Sequence, residues 1–186
     1  MNTPLLLERL AALIHQSVRD DAARHGLQPV HVQILGYLAR ANRYSNFPLA
    51  IAEYFGITRG TVSQSIRLLE ARGLIRRRRD PQHGRRVKLE LTEAGRRVLA
   101  SGWSRQLETA LAADGVDARV LGAELNRLLA ALQRQNDQHA FGICHQCVHF
   151  LREADGYRCG LTLEPLIEEQ TTKICREWTA PDAPVE

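Results

Sequence analysis

Four cysteines near the carboxyl end of this 186-residue chain are the residues whose type and spacing best suit a shared chemical site. They follow the pattern Cys144-x2-Cys147-x11-Cys159-x15-Cys175, and no cysteine precedes them. Clustered thiols bind metal ions or iron–sulfur clusters, form disulfides, or carry out thiol redox chemistry. Because the segment that holds them has few other large apolar residues, we expect one shared site and not four separate core thiols.

The cysteine spacing favours a metal centre, and within that class an iron–sulfur cluster. Disulfides are not expected, because the chain is predicted to be cytoplasmic and thiols stay reduced there. Structural zinc prefers two Cys-x2-Cys pairs or a Cys/His set, whereas one such pair and two isolated cysteines are present. Iron–sulfur clusters accept looser spacing, because each thiolate binds a different iron. The interpretation is a [4Fe–4S] cluster; zinc, thiol redox chemistry and no cofactor are the alternatives.

The cysteine segment also resembles the cluster-binding segment of high-potential iron–sulfur proteins. The similarity rests on CHQC at 144–147 with Phe150 after it, CGL at 159–161, PLI at 165–167 and CREW at 175–178. This resemblance implies that the four cysteines are the ligands of one [4Fe–4S] cluster.

A second concentration of chemistry lies in the middle of the chain and is basic. Residues 72–88 contain eight Lys and Arg against one acid, whereas residues 141–186 contain four bases against eight acids. Packing gives no reason for such a cluster of arginines, but the phosphates of nucleic acids attract one. The basic middle and the acidic tail therefore indicate two surfaces with different partners.

The elements around these arginines have the pattern of a helix–turn–helix followed by a hairpin. We predict a short helix over residues 49–55, a tight turn at Gly56 and a second helix over residues 59–71, capped by Thr58. The buried stripe of the second helix is Val62, Ile66 and Leu69. Strands are predicted over residues 74–79 and 87–91, with turn residues between them.

This order of elements describes a winged helix–turn–helix. The second helix of that motif fits the major groove of DNA, and the hairpin reaches the minor groove or the backbone. Arginine suits guanine, Gln suits adenine, and Ser and Thr contact bases or phosphates. The alternative is that these residues form only the solvated face of an amphipathic helix. The candidate DNA-binding residues are Arg59, Thr61, Ser63, Gln64, Arg67, Arg77, Arg79, Arg85 and Arg86.

Longer helices are predicted on both sides of this motif. One begins at Thr3, as its cap, and ends at Gly26, and another begins at Pro29. A long helix capped by Thr92 continues through Leu111, and a last helix begins after Asp117 and reaches about residue 138.

The residues of the motif resemble the DNA-reading core of MarR-family regulators. The similarity rests on LAIAEYFGITRGTVS at 49–63, LLEARGLIRR at 68–77, DPQHGRR at 80–86 and LTEAGR at 91–96. It implies a homodimer held by the first and last long helices, a pseudo-palindromic operator, and Arg85 as the residue that enters the minor groove. His83 departs from the pattern, because the family usually has an Asp two residues before that arginine.

We therefore expect a mainly α fold with a small β-hairpin wing. The predicted units are a helical dimerisation region (1–28 and 92–140), a winged helix–turn–helix DNA-binding domain (29–91) and a cysteine-rich metal- or cluster-binding tail (141–186). No uncharged apolar run is long enough for a membrane span and no secretory signal is present, so we expect a cytoplasmic protein.

The leading functional hypothesis is a dimeric transcriptional regulator of double-stranded DNA whose [4Fe–4S] tail senses redox state, oxygen, nitric oxide or iron. The alternative is a MarR-type regulator with a structural zinc lobe that responds to a small-molecule ligand. A third hypothesis, an electron-transfer or enzymatic iron–sulfur protein, is disfavoured by the basic hairpin. No nucleophile–base pair or substrate-binding loop is recognisable, so an enzyme is not expected.

Overall fold

The structure is a computed structural model that describes residues 2–79, 87–100, 102–113 and 115–181. Its helices are α1 (Thr3–Arg24), α2 (Pro29–Arg40), α3 (Pro48–Phe55), α4 (Arg59–Ala71), α5 (Glu93–Leu99), α6 (Trp103–Ala113), α7 (Ala118–Gln135) and α8 (Glu168–Thr171). Its strands are β1 (Ile75–Arg79), β2 (Val87–Leu91), β3 (Gly142–Ile143), β4 (Phe150–Glu153), β5 (Gly156–Cys159), β6 (Pro165–Leu166) and β7 (Ile174–Cys175). A 3-10 turn spans Cys144–Gln146. None of the described helices has the length and apolar character needed to cross a membrane.

The main hydrophobic core lies between α2, α3, α4 and the β1–β2 hairpin. Tyr37 of α2 and Ile51 of α3 are fully buried there, and so is the predicted α4 stripe of Val62, Ile66 and Leu69. Burial of each large apolar side chain contributes about 1.5–3 kcal/mol, so this stripe fixes which face of α4 is turned outward. The predicted helix–turn–helix is confirmed.

The turn and the hairpin have the predicted local chemistry. Gly56 adopts the left-handed conformation with φ of 62°, and the Thr58 hydroxyl accepts a hydrogen bond from the Thr61 N–H at 3.2 Å. β1 and β2 pair antiparallel, with Ile75 opposite Leu91. The turn between them, including His83 and the predicted DNA-binding residues Arg85 and Arg86, lies outside the described residues.

The long helix predicted after Thr92 is two helices, α5 and α6. Asp21 of α1 is buried, and its carboxylate accepts a hydrogen bond from the Trp103 N–H at 2.6 Å, which caps α6. A Cβ atom on Gly102 would stand 3.0 Å from the same carboxylate, so this close approach suits glycine. The prediction of one helix was wrong because the capping residue is distant in sequence.

The helices predicted to hold a dimer expose their apolar faces in the single chain. On α1, Leu10 is 50% exposed, and on α7, Leu132 is 47% exposed. No residue of α7 is buried in the described part of the chain. Two predicted boundaries differ slightly: Asn2 caps α1 where Thr3 was expected, and α7 ends at Gln135.

Residues 141–181 form a lobe of short strands, hereafter the cysteine lobe. β3 pairs with β7, and β4, β5 and β6 form a second small sheet. Ile174 of β7 is part of the main core, and its carbonyl accepts a hydrogen bond from the Asn42 N–H at 2.9 Å. The cysteine lobe therefore docks on the loop that joins α2 to α3, in addition to following α7 along the chain.

Candidate functional site

The outward face of α4 carries the polar residues that the sequence predicted for DNA contact. Arg59, Thr61, Gln64 and Arg67 are exposed, and Ser63 is half-buried. Because α4 is held by its buried stripe on the opposite side, these side chains form one continuous surface. Its amino end, where Arg59 and Thr61 lie, also has the positive end of the helix dipole, which favours phosphate.

The hairpin arginines divide between the two faces of β1, because successive residues of a strand point to opposite sides. The predicted residues Arg77 and Arg79 are exposed, and Arg77 forms an ion pair with Glu70 of α4 at 2.9 Å. Arg76 and Arg78, which were not predicted as site residues, both pair with Glu90 on β2. Burial raises the pKa of Glu90, but the hydrogen bonds from these two arginines outweigh it and hold the pKa below its usual value.

The four cysteines meet at one cavity of the cysteine lobe. Cys144 and Cys175 are buried and Cys147 and Cys159 are half-buried, and all four have free thiols. They line a small, mainly apolar cavity of about 10 Å³, which has room for about one water molecule. Tyr44, from the α2–α3 loop, and Phe150 contribute to the same wall. Residues far apart in the tail are thus brought together as the spacing predicted.

The thiols strongly influence one another. Burial, together with the neighbouring Cys175, Cys159 and Cys147, raises the pKa of Cys144 to about 12. Burial also raises the pKa of Cys175, to about 11, although the nearby Asn42 side chain and the Glu177 backbone act in the opposite direction. In the protein without metal, these two thiols are therefore protonated at neutral pH, and binding a metal would release their protons.

Amide groups stand beside two of the sulfurs. The Thr179 N–H donates to Cys147 Sγ at 3.4 Å. Asn42 is 1% exposed, and its Oδ1 accepts hydrogen bonds from the Tyr44 N–H and the Ser45 hydroxyl. Its NH₂ group influences Cys175 but has no well-aligned hydrogen bond in the described part of the chain. Amide donors of this kind are typical neighbours of cluster-bound thiolates.

The described residues do not form the preformed metal site that the sequence predicted. In the described ranges, no three His, Cys, Asp or Glu side chains are arranged to hold a single metal ion. His145, next to Cys144, directs its Nδ1 to the Thr171 carbonyl at 3.0 Å. A shared cysteine site is nevertheless supported by its chemistry. Four thiols surround one apolar cavity, and amide groups lie beside two of them.

Polar contacts join the cysteine lobe to the helix–turn–helix, and the sequence did not predict them. Arg176, next to Cys175, donates to both carboxylate oxygens of Glu53 on α3, with Nε–Oε2 and Nη2–Oε1 distances of 2.5 and 3.0 Å. The hydrogen bond from Arg176 is the main reason that the pKa of Glu53 lies below its usual value. The Arg176 N–H also donates to the Ser45 hydroxyl at 2.8 Å. A second contact joins the Tyr44 hydroxyl to the Glu164 carboxylate at 2.6 Å.

This geometry defines a winged helix–turn–helix protein with an added cysteine lobe. Residues 25–86, about a third of the chain, match the model of the MarR family. Staphylococcus aureus MepR in its DNA-binding conformation shares 24% identity and a TM-score of 0.61, over 72% of this chain and 100% of that chain.

Two further solved structures have the same fold. The S. aureus MepR–DNA complex shares 23% identity and a TM-score of 0.54, over 70% of this chain and 98% of that chain. CouR from Rhodococcus jostii RHA1, bound to p-coumaroyl-CoA, shares 22% identity and a TM-score of 0.53, over 71% of this chain and 90% of that chain. No curated protein matches the chain.

Proposed function

We propose that this protein is a dimeric DNA-binding transcriptional regulator whose cysteine lobe binds a [4Fe–4S] cluster and adjusts operator affinity to the state of that cluster. The observation that carries the DNA-binding part is the exposed polar face of α4 beside an arginine-rich hairpin. The observation that carries the cluster part is the meeting of all four cysteines at one apolar cavity.

The DNA-binding part rests on the chemistry of the two exposed surfaces. Gln64 and Arg67 have the hydrogen-bonding groups that distinguish adenine and guanine in the major groove. Arg79 and the predicted wing residues Arg85 and Arg86 supply charge for phosphates or the minor groove. MepR, which shares this fold, has been solved in complex with DNA. The operator is expected to be pseudo-palindromic, with the two α4 helices about 34 Å apart.

The proposal of a dimer is based on apolar side chains that remain exposed to solvent in the single chain. The leucines of α1 and α7 with this property are Leu5, Leu6, Leu10, Leu13, Leu121, Leu125, Leu128, Leu129 and Leu132, each between 38% and 50% exposed. Monomers in water rarely expose so many large apolar side chains on two helices. A second copy of the same helices would cover them and would set the spacing of the two α4 helices.

The spacing of the four cysteines favours a cluster over a zinc ion. A zinc ion holds four sulfurs about 2.3 Å from one point, and in the described chain no three candidate ligands are so arranged. A cluster takes each thiolate on a separate iron, so the sulfurs stand further apart. The ligands of the cluster would be Cys144, Cys147, Cys159 and Cys175. When bound, the cluster would supply a redox centre that is sensitive to oxidants.

The cysteine lobe contacts α3 and the loop before it, so a structural change in the lobe would affect the DNA-binding helices. Cys175 is followed by Arg176, which contacts Glu53 on α3 and Ser45 before α3. Loss of order around Cys175 would release these contacts, and α3 packs directly on α4. We expect a coupling of about 5- to 150-fold in operator affinity, the usual range for linked sites.

The test compares the Cys159→Ser variant with wild-type protein, both purified without oxygen. The wild type should contain iron and sulfide in equal amounts and absorb broadly near 400 nm, and the variant should lose both. Operator affinity, measured at several salt concentrations, should differ between the two while dimer and helical content are kept. A matched control is Leu161→Ser, an exposed position two residues away, which should keep the cluster.

Two outcomes would contradict parts of this proposal. Wild-type protein that is colourless and contains one zinc ion per chain would exclude the cluster. Unchanged operator affinity after loss of the cluster would exclude sensing and leave a structural lobe.

A specific observation also favours a second candidate, a regulator that responds to a small molecule and has a structural zinc lobe. A cavity of about 450 Å³ lies between α1, α2 and the start of α6, with Val32, Tyr54 and Trp103 in its wall. This size is usual for ligand sites, and CouR has been solved with p-coumaroyl-CoA bound. Zinc in the purified protein, with operator release by an aromatic acid or acyl thioester, would support this candidate.

A further inference from the structure

Two polar residues of the α2–α3 loop hold the backbone on both sides of Cys175. The Asn42 N–H donates to the Ile174 carbonyl at 2.9 Å, and the Ser45 hydroxyl accepts from the Arg176 N–H at 2.8 Å. The side chains of Asn42 and Ser45 are both fully buried. Cys175 belongs to the cysteine lobe, but the residues before and after it are thus fixed to the helix–turn–helix.

The Asn42 side chain is held in one orientation. Its Oδ1 accepts hydrogen bonds from the Tyr44 N–H at 3.0 Å and from the Ser45 hydroxyl at 2.8 Å. The opposite orientation would place the NH₂ group against the Tyr44 N–H, so that two donors would face each other. The Nδ2 atom is therefore a buried donor, and it has no hydrogen-bond partner in the described part of the chain.

The sulfur of Cys175 is the acceptor that suits this donor. Burial raises the pKa of Cys175 to about 11, and the Asn42 side chain acts against that rise. An N–H donor has an effect of this sign, because it stabilises the thiolate, whereas an amide oxygen would not. A neutral thiol accepts hydrogen bonds only weakly, but a thiolate carries a full charge and attracts a donor strongly.

We infer that Asn42 is a positioning residue of the cysteine site, whose NH₂ group donates a hydrogen bond to the Cys175 thiolate when that thiolate binds the cluster. The inference rests on the proposed function, because it needs a thiolate bound to metal. A hydrogen bond to a cluster-bound sulfur stabilises the more negative, reduced state and so raises the reduction potential. The helix–turn–helix would therefore help to set the redox properties of a site in the cysteine lobe.

The reduction potential of the full chain, purified without oxygen, tests this role. Asn42→Leu keeps a branched side chain but removes the donor. Its reduction equilibrium should shift about tenfold towards the oxidised cluster, which is a potential about 59 mV lower for a one-electron couple. The matched control is Ser45→Ala, which removes a buried hydroxyl of the same loop but keeps the Tyr44 N–H on the Asn42 Oδ1. Its potential should equal that of the wild type.

A second measurement separates this inference from the proposed function and needs no folded Asn42→Leu variant. The metal-free wild-type chain is loaded with an NMR-active isotope of cadmium, an ion that prefers thiolate ligands. Coupling between the bound cadmium and the Asn42 side-chain amide proton requires an N–H···S hydrogen bond, and we expect to observe it.

Each outcome bears on one of the two claims. Absence of this coupling, or equal reduction potentials for Asn42→Leu and wild-type protein, would overturn the role of Asn42 even where iron and sulfide are present. Wild-type protein that contains zinc in place of iron, but shows the coupling, would overturn the cluster and leave Asn42 as a donor to a metal-bound thiolate.

Discussion

Replacement of Arg176 by Gln should loosen the cysteine lobe from the helix–turn–helix while leaving each part folded. The substitution removes both hydrogen bonds to the Glu53 carboxylate but keeps the backbone N–H that donates to Ser45. It also leaves Glu53 beside a partner that is polar and uncharged. The effect should therefore appear as easier local opening, not as global unfolding.

The magnitude follows from the burial of the pair. The Arg176 and Glu53 side chains are 22% and 25% exposed. Hydrogen bonds between charged groups contribute about 1.5–3 kcal/mol, and loss of one partner of a fully buried pair costs about 3–5 kcal/mol. For a pair that keeps a quarter of its surface in water, we expect about 2 kcal/mol, which is about a 30-fold increase in the opening equilibrium.

Native-state hydrogen exchange measures this opening directly. The Asn42 N–H donates to the Ile174 carbonyl across the interface, so its exchange rate reports separation of the two parts. It should exchange about 30-fold faster in Arg176→Gln than in the wild type. A double-mutant cycle with Glu53→Gln should give a coupling energy of about 1.5–3 kcal/mol.

The matched control is Arg158→Gln within the β4–β5 hairpin. Arg158 pairs with Glu153 at 2.6 Å, but these side chains are 37% and 44% exposed and both belong to the cysteine lobe. Because a surface pair of this kind contributes little to stability, exchange at Asn42 should not change. If Arg176→Gln exchanged at the wild-type rate, or if the cycle gave no coupling, docking would not depend on this contact.

Three other predictions concern the rest of the protein. Gln64→Ala should reduce discrimination between operator and random DNA by about 1–3 kcal/mol, measured by competition binding; an equal loss for both DNAs would mean that Gln64 reads no base. Leu125→Glu places a charge on the exposed stripe of α7 and should give monomers in sedimentation, whereas an unchanged dimer would place the interface elsewhere. Burial, and next Arg72, lower the pKa of His31, whose Nδ1 accepts from the Gln28 N–H. Its contribution to stability should be complete above pH 6.5 and decline as the pH falls towards the lowered pKa; thermal unfolding of His31→Gln should lack this decline.

The parts of the fold that the sequence predicted are those governed by local patterns. The α4 stripe, the Thr58 cap and the Gly56 turn each follow from residues within one or two helical turns of one another. The exposure of Gln64 and Arg67 could also be predicted, because burial of the apolar stripe of α4 leaves the opposite face of the helix in solvent. A shared site for the four cysteines could be predicted because all of them lie in one segment that has few other large apolar residues.

The parts that were not predicted depend on contacts between distant residues. The end of α5 is set by Asp21, which caps α6 from α1. The docking of the cysteine lobe depends on Arg176 and Glu53, which look like ordinary surface charges in the sequence. The burial of Asn42 could not be predicted from the sequence. It depends on docking of the cysteine lobe, where the Asn42 N–H donates to the carbonyl of the distant residue Ile174.

The position of these docking contacts bears on how a signal would travel. The cysteine lobe follows α7, a helix predicted to hold the dimer, so the order of elements along the chain favours a signal that travels through the dimer. In the structure, Arg176 and Ile174 instead contact the loop before α3 and α3 itself. Because α3 packs on α4, a shift at this contact reaches the DNA-facing helix within one chain. The dimer spacing need not change for operator affinity to change, so a variant locked as a dimer across α7 should still respond to loss of the cysteine site.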